Sequence, residues 1–252
     1  MKRNVTREKL KRGEATTGVF IGLGSPAVAE LLGEVGFDWL IIETEHSAID
    51  VPQIEHMLMA MQSSPATPLV RVPSSDPISI QRALDTGAMG IIVPMVRSAD
   101  EARAVVAATR YPPGGARSYG GLRSSRYTFD SQDYFREANE NILTVLILET
   151  REAVEQLEEI MQIDGVDAIY MGTFDLCLSL GLNPMEQPHA IIEEIIDRTL
   201  ELGKKHNVAV GSVYASPEQH KQNKRRGFRM LGYADYLLLA GAAREGLKAL
   251  SD

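Results

Sequence analysis

The chain has 252 residues, 44% of them hydrophobic and 24% charged, which suits one large globular domain. A formal net charge of -8 argues against a nucleic-acid binder, because phosphate neutralisation needs a basic face. Cys177 is the only cysteine, so no intrachain disulfide can form; the charged N-terminus and the lack of any span-length apolar run point to a cytoplasmic protein with no membrane association.

In chain order, a short helix over Thr6 to Arg12 precedes strands and helices in strict alternation. Strands are expected near 17–22, 38–42, 68–72, 90–94, 143–148, 167–172, 208–213 and 235–240. Helices are expected near 26–35, 51–62, 77–86, 98–109, 151–162, 190–206, 216–230 and 241–250. Ser25-Pro26, Asp76-Pro77 and Ser216-Pro217 each place a capping side chain before a proline at the first helical position, and Ser98…Glu101 and Ser216…Gln219 have capping-box spacing. Runs such as Gly90–Val93 and Tyr236–Leu239 are apolar throughout, as parallel strands covered on both faces must be. Eight strand-helix pairs predict a single-domain (β/α)8 TIM barrel spanning 1–252. One insertion interrupts the rhythm, from Tyr111-Pro-Pro-Gly-Gly through a polar stretch to about Asn141, and a connection that long is usually functional or an interface element.

A barrel enzyme carries its chemistry at the C-terminal ends of its strands. Glu43, Glu45 and His46 follow the second strand, Arg71 ends the third, Glu149 ends the fifth and Asp175 follows the sixth. Glu149 or Asp175 alone would pass as an acid favouring a helix start; together on adjacent strands they favour ligation of a cation. Two carboxylates completed by waters and substrate oxygens suit Mg²⁺ or Mn²⁺ rather than zinc, and such an ion would polarise a substrate carbonyl. His46 stands apart from His56, His189, His206 and His220 because it lies among acids near a strand end, where a carboxylate would orient its ring. Arg71 fits either a salt bridge with Glu43 or Glu45 or a clamp on a carboxylate or enolate oxygen. Gly172-Thr-Phe-Asp175 offers backbone amides to an anion, or is an ordinary turn into a helix. Gly22-Leu-Gly24-Ser-Pro-Ala27 has the spacing of a dinucleotide fingerprint, but Pro26 intrudes and the charges cluster elsewhere; it reads as a plain turn.

These residues in this order resemble the HpcH/HpaI aldolase family, the metal-dependent pyruvate aldolases related to the citrate lyase β-subunit. The resemblance runs from about Leu10 to the C-terminus and is carried by Gly36–Leu40 leading into Glu45-His46, Val70–Pro73, Val93–Val96, Arg110–Pro113, Glu149–Ala153 and Gly172–Leu176. It implies that Glu149 and Asp175 bind Mg²⁺ or Mn²⁺, and that His46, directly or through a water, takes a methyl proton from pyruvate. It also implies that Arg71 stabilises the enolate oxygen, that amides around Gly172, Thr173 and Phe174 receive the pyruvate carboxylate, and that the enolate attacks an aldehyde to give a 4-hydroxy-2-oxo acid. A homo-oligomer, trimer or hexamer, with helix exchange between barrels is implied too. The chain departs from the family at Glu43, commonly Asp and partner of the histidine, at Ile147, often Gln and a pyruvate contact, and at Gly211–Tyr214, often more apolar beside the aldehyde. Oxaloacetate decarboxylation, macrophomate-synthase-like chemistry and a non-catalytic 2-oxo-acid binder are the alternatives on the same site.

Overall fold

The computed structural model describes residues 2–186 and 188–251; Met1, Gln187 and Asp252, included in the expected domain, lie outside the described residues. Eight parallel strands close a barrel in sequence order: β1 (Thr16–Ile21), β2 (Trp39–Glu43), β3 (Thr67–Arg71), β4 (Gly90–Val93), β5 (Leu143–Leu148), β6 (Ala168–Met171), β7 (Ala209–Val213) and β8 (Met230–Ala234). Strands β4, β5 and β6, apolar except for Thr144, are buried along their whole length, because their outer faces meet helices and their inner faces fill the barrel. Trp39, Leu69, Ile92, Val145, Ile147 and Tyr170 belong to that inner layer, with Phe20 packed against it.

The helices are α1 (Val5–Lys11), α2 (Pro26–Val35), α3 (Val51–Ala60), α4 (Pro77–Asp85), α5 (Ala99–Thr109), α6 (Ser131–Asn141), α7 (Arg151–Glu155), α8 (Leu157–Met161), α9 (Thr173–Ser179), α10 (Ala190–His206), α11 (Pro217–Arg226) and α12 (Asp235–Ala249). The expected caps are in place: Ser25, Asp76, Ser98 and Ser216 accept from the amides of Val28, Ser79, Glu101 and Gln219. No helix is long and apolar enough to cross a membrane among the described residues.

The eighth strand differs from expectation. Residues 235–240 are the start of α12, and β8 lies at Met230–Ala234 instead. Helix α11 ends earlier than expected, at Gly227 in the left-handed region with φ 110, which frees Phe228 onward to extend. The register Thr16↔Met230 to Phe20↔Ala234 then closes the barrel before Tyr236 is reached. The apolar run Tyr236–Leu239 resembles a covered strand, yet Leu237 and Leu239 are exposed in this chain. The expected helix over 151–162 is split at Gln156, whose side-chain oxygen accepts from the Ala99 amide. The long insertion contains α6, which buries Tyr134 and Ala138.

Helix α1 covers the N-terminal end of the barrel. The Asn4 side chain donates to the carbonyls of Met89 and Asn141, and Arg7 Nε donates to both carboxylate oxygens of Asp167 at 2.9 and 3.0 Å. Both side chains of that pair are under one-tenth exposed. Removing one charge of a buried pair strands the other. Asp167→Ala should therefore lower the unfolding free energy in urea by about 3 kcal/mol or more, and removing Arg7 as well (Arg7→Met with Asp167→Leu) should recover part of that loss.

Candidate active site

The C-terminal rim is organised first by strand register. Glu43 and Arg71 are the last residues of β2 and β3 and stand opposite each other across the ladder. Glu43 Oε1 accepts from the amides of Glu45 and His46 at 2.7 and 3.2 Å, which folds the turn after β2, while its Oε2 lies 3.2 Å from Arg71 Nη1. Arg71 Nη2 is ion-paired with the Glu45 carboxylate. His46 Nε2 lies 3.5 Å from both Glu45 Oε2 and Arg71 Nη2, with its side chain 62% exposed. The salt-bridge reading of Arg71 is met by both carboxylates, Glu43 and Glu45, while its Nε is buried without a hydrogen-bond partner. Glu43 bonds the His46 amide, and Glu45 is the carboxylate beside the ring.

Glu149 follows β5 and is 2% exposed. Its Oε1 accepts from the amide of Met95, a residue in the left-handed region at φ 55, uncommon for a side chain of that size. Burial is the main reason that its pKa rises from an ordinary 4.5 to about 7; the Glu45 and Asp175 charges push the same way, and the Met95 amide and Arg71 oppose them. Burial also pushes Glu45 up, against the attraction of Arg71 and His46. Gly172 leaves room for Glu149: a Cβ there would lie 2.7 Å from Glu149 Oε2. Asp175 sits in the first turn of α9, half-buried, with Thr173 and Phe174 before it. Glu43, Glu45, His46, Arg71, Glu149 and Asp175 form one electrostatic cluster across the ends of β2, β3, β5 and β6.

The donor chemistry fits a hard cation. A nearly buried carboxylate with one oxygen on an amide, its charge discouraged by two neighbouring acids, is what a divalent ion would relieve. Among the described residues no three His, Cys, Asp or Glu side chains gather as a cage.

Two contributors escaped sequence reasoning. Met95 lay in a quoted motif without a role, since nothing in a side-chain pattern reveals an amide aimed at a carboxylate. Asp235 fell inside the misplaced strand; it is 3% exposed and accepts from the amides of Gly22, Leu23 and Tyr236. Those Gly22 and Leu23 amides are the ones a dinucleotide phosphate would need, so the turn after β1 is already filled by a carboxylate. A cavity of about 450 Å³ lies at the opposite end of the barrel, lined by Arg7, Asp164, Asp167 and His206 among others, away from this cluster.

The sign of the pH effect follows from Glu149. With its folded pKa raised from 4.5 to about 7, the folded state holds a proton that the unfolded state has lost between those values. Its unfavourable contribution is absent below about pH 4.5, grows through that window and is complete above about pH 7. In metal-free protein, Glu149→Gln should gain stability relative to wild type as pH rises from 4.5 to 8, read by urea denaturation at each pH; a pH-independent difference would contradict it.

The family profile described as HpcH/HpaI aldolase/citrate lyase matches residues 16–235. A 4-hydroxy-2-oxo-heptane-1,7-dioate aldolase of Klebsiella pneumoniae is 38% identical over 246 residues, covering 95% of this chain and 91% of the relative. Such aldolases are carbon–carbon lyases. Among solved structures, an HpcH/HpaI aldolase/citrate lyase family protein from Burkholderia cenocepacia superposes with a TM-score of 0.92 at 31% identity, covering 99% of this chain and 100% of that one. The HpcH/HpaI aldolase of Desulfitobacterium hafniense gives 0.89 at 28% identity, covering 98% and 96%. A profile that runs from the first strand of the barrel to the residue after the last, and relatives alike along nearly the whole chain, place this protein in the HpcH/HpaI aldolase/citrate lyase family.

Proposed function

We propose that the protein is a cytoplasmic, divalent-metal-dependent pyruvate aldolase that forms or cleaves 4-hydroxy-2-oxo acids. The observation that carries this reading is the buried, elevated carboxyl of Glu149 beside Asp175, in one cluster with a guanidinium held by two acids. Glu149 and Asp175 would hold Mg²⁺ or Mn²⁺, which when bound supplies Lewis-acid polarisation of a keto oxygen. Arg71, aimed by Glu43 and Glu45, places positive charge where the enolate oxygen develops. The amides of Thr173 and Phe174, following Gly172 at the start of α9, take the pyruvate carboxylate. His46 removes the methyl proton, with Glu45 beside its ring, and the resulting carbon nucleophile adds to the aldehyde carbonyl. In reverse, His46 returns that proton to the methylene carbon after cleavage.

Ile147 puts a hydrocarbon where many family members carry an amide; it packs inside the barrel opposite Tyr170. Pyruvate recognition in this chain therefore falls to Arg71 and the α9 amides. Loss of the pyruvate methyl signal in deuterated water tests the reading without any aldehyde. Exchange should require added Mg²⁺ or Mn²⁺ and fall by about 10² or more in His46→Ala and Glu149→Ala. Pyruvate binding without exchange in the wild type would instead mark a 2-oxo-acid binder.

The same reading extends to assembly. Helix α12 buries only Asp235, while Tyr236, Leu239 and Leu247 are more than half exposed, as are Leu31 and Val35 on α2. That much bare apolar surface on a lone helix needs a partner, and we place the α12 helices on the barrels of neighbouring subunits in a homo-oligomer. Light scattering should give a mass several times 27.7 kDa, and Leu239→Asp with Leu247→Asp should reduce it towards one chain.

A further inference from the structure

The end of the barrel opposite the charged rim carries a cavity of its own. Its volume is about 450 Å³, and its walls include Arg7 and Lys11 of α1, Asp164, Gly165 and Asp167 ahead of β6, and His206 at the end of α10. Pockets for small molecules run from about 300 to 1,000 Å³, so a metabolite fits. The carbonyl ends of α1 and α10 draw cations to this face, and the cations here exceed what the neighbouring acids neutralise.

Arg7 shows this most clearly. Its side chain is 8% exposed; Nε is taken by the Asp167 carboxylate and Nη1 by the Glu140 carbonyl. Its Nη2 has no acceptor among the described residues, yet it is not sealed from solvent, so it opens on the cavity that the side chain lines. Asp167 also faces Arg110, whose Nη2 lies 3.9 Å away and is buried without a hydrogen bond. One carboxylate is thus shared by two guanidinium groups. Lys11 has no ion-pair partner among the described residues, and only its carbonyl is engaged, by Asn207 Nδ2. Arg229 donates to the carbonyls of Leu10 and Val208 in the cavity wall and to no carboxylate. Against Arg7, Arg110, Lys11 and Arg229 stand Asp167, already shared, and Asp164, which is exposed to water. Glu158 nearby is held by Lys205 and His206.

A guanidinium nitrogen held in place by the rest of its own group, and short of an acceptor, is prepared for a charged hydrogen bond. An oxygen anion entering the cavity would meet Arg7 Nη2 already oriented, with Lys11 at the rim and the surplus charge of Arg110 and Arg229 behind the wall. We infer that this cavity is a binding site for a small oxoanion, a ligand that presents a phosphate or a carboxylate group. The site lies at the far end of β6 from Gly172 and Asp175 and is independent of the aldolase reading. No bond is made or broken in it.

His206 lines the cavity, so its imidazole reports on it. Inorganic phosphate and succinate are each titrated into the protein at fixed pH while the histidine ring signals are followed by NMR, with His206 assigned through His206→Gln and sodium chloride of equal ionic strength as the control. The inference expects the His206 signals to move saturably with at least one of the two at up to about 10 mM and not with chloride. Movement with phosphate alone assigns a phosphate-bearing ligand, and movement with succinate alone a carboxylate. Lys11→Glu, at an exposed position whose backbone contact the change leaves in place, should weaken that binding about fivefold or more. No saturable movement of His206 with either anion, movement that chloride reproduces, or an affinity unchanged in Lys11→Glu would overturn the inference. The wild-type titration decides the first two of these even if the variant does not fold.

Discussion

Glu149 sits at a depth where ionisation is unfavourable, fixed by the Met95 amide on one side and by the bare backbone of Gly172 on the other. Two further acids, Glu45 and Asp175, add to the repulsion, and Arg71 offsets only part of it because Glu43 and Glu45 already engage its guanidinium. The rim is thus a site assembled short of positive charge. Its neighbours follow from that: a left-handed methionine, a glycine where any side chain would intrude, and a helix whose first turn carries Asp175.

The barrel serves this constraint by keeping its working parts on stiff elements. Arg71 and Glu43 are strand residues paired in register, so their separation is set by the ladder and not by a loop. Glu43, one methylene longer than the aspartate usual in the family, uses its reach to bond two amides in the following turn, which brings Glu45 beside the histidine ring. At the other end of the barrel, α1 and the Arg7–Asp167 pair close the core with structural polar contacts.

Seven of the eight strands and most helix starts were legible because they rest on local chemistry: continuous apolar runs, capping serines and aspartates, and prolines at first helical positions. The eighth strand was not, because Tyr236–Leu239 is apolar although it opens α12, and that unbroken apolar run outweighed Met230–Ala234, which a glycine interrupts. That Glu43, Glu45, His46, Arg71, Glu149 and Asp175 would meet at one rim was legible from their place after strands. Met95 and Asp235 were not, since one acts through its backbone and the other depended on where β8 ends.

Titration with Mn²⁺ in an isothermal calorimeter, in two buffers of different ionisation enthalpy, reaches the central claim most directly. If Glu149 and Asp175 receive the ion, one Mn²⁺ should bind per chain, with proton release near pH 6.5 that fades by pH 8.5 as Glu149 is already ionised. Glu149→Gln and Asp175→Asn should each abolish that binding while the fold persists. Stoichiometric Mn²⁺ binding that survives both substitutions, or that releases no proton at the lower pH, would contradict the account.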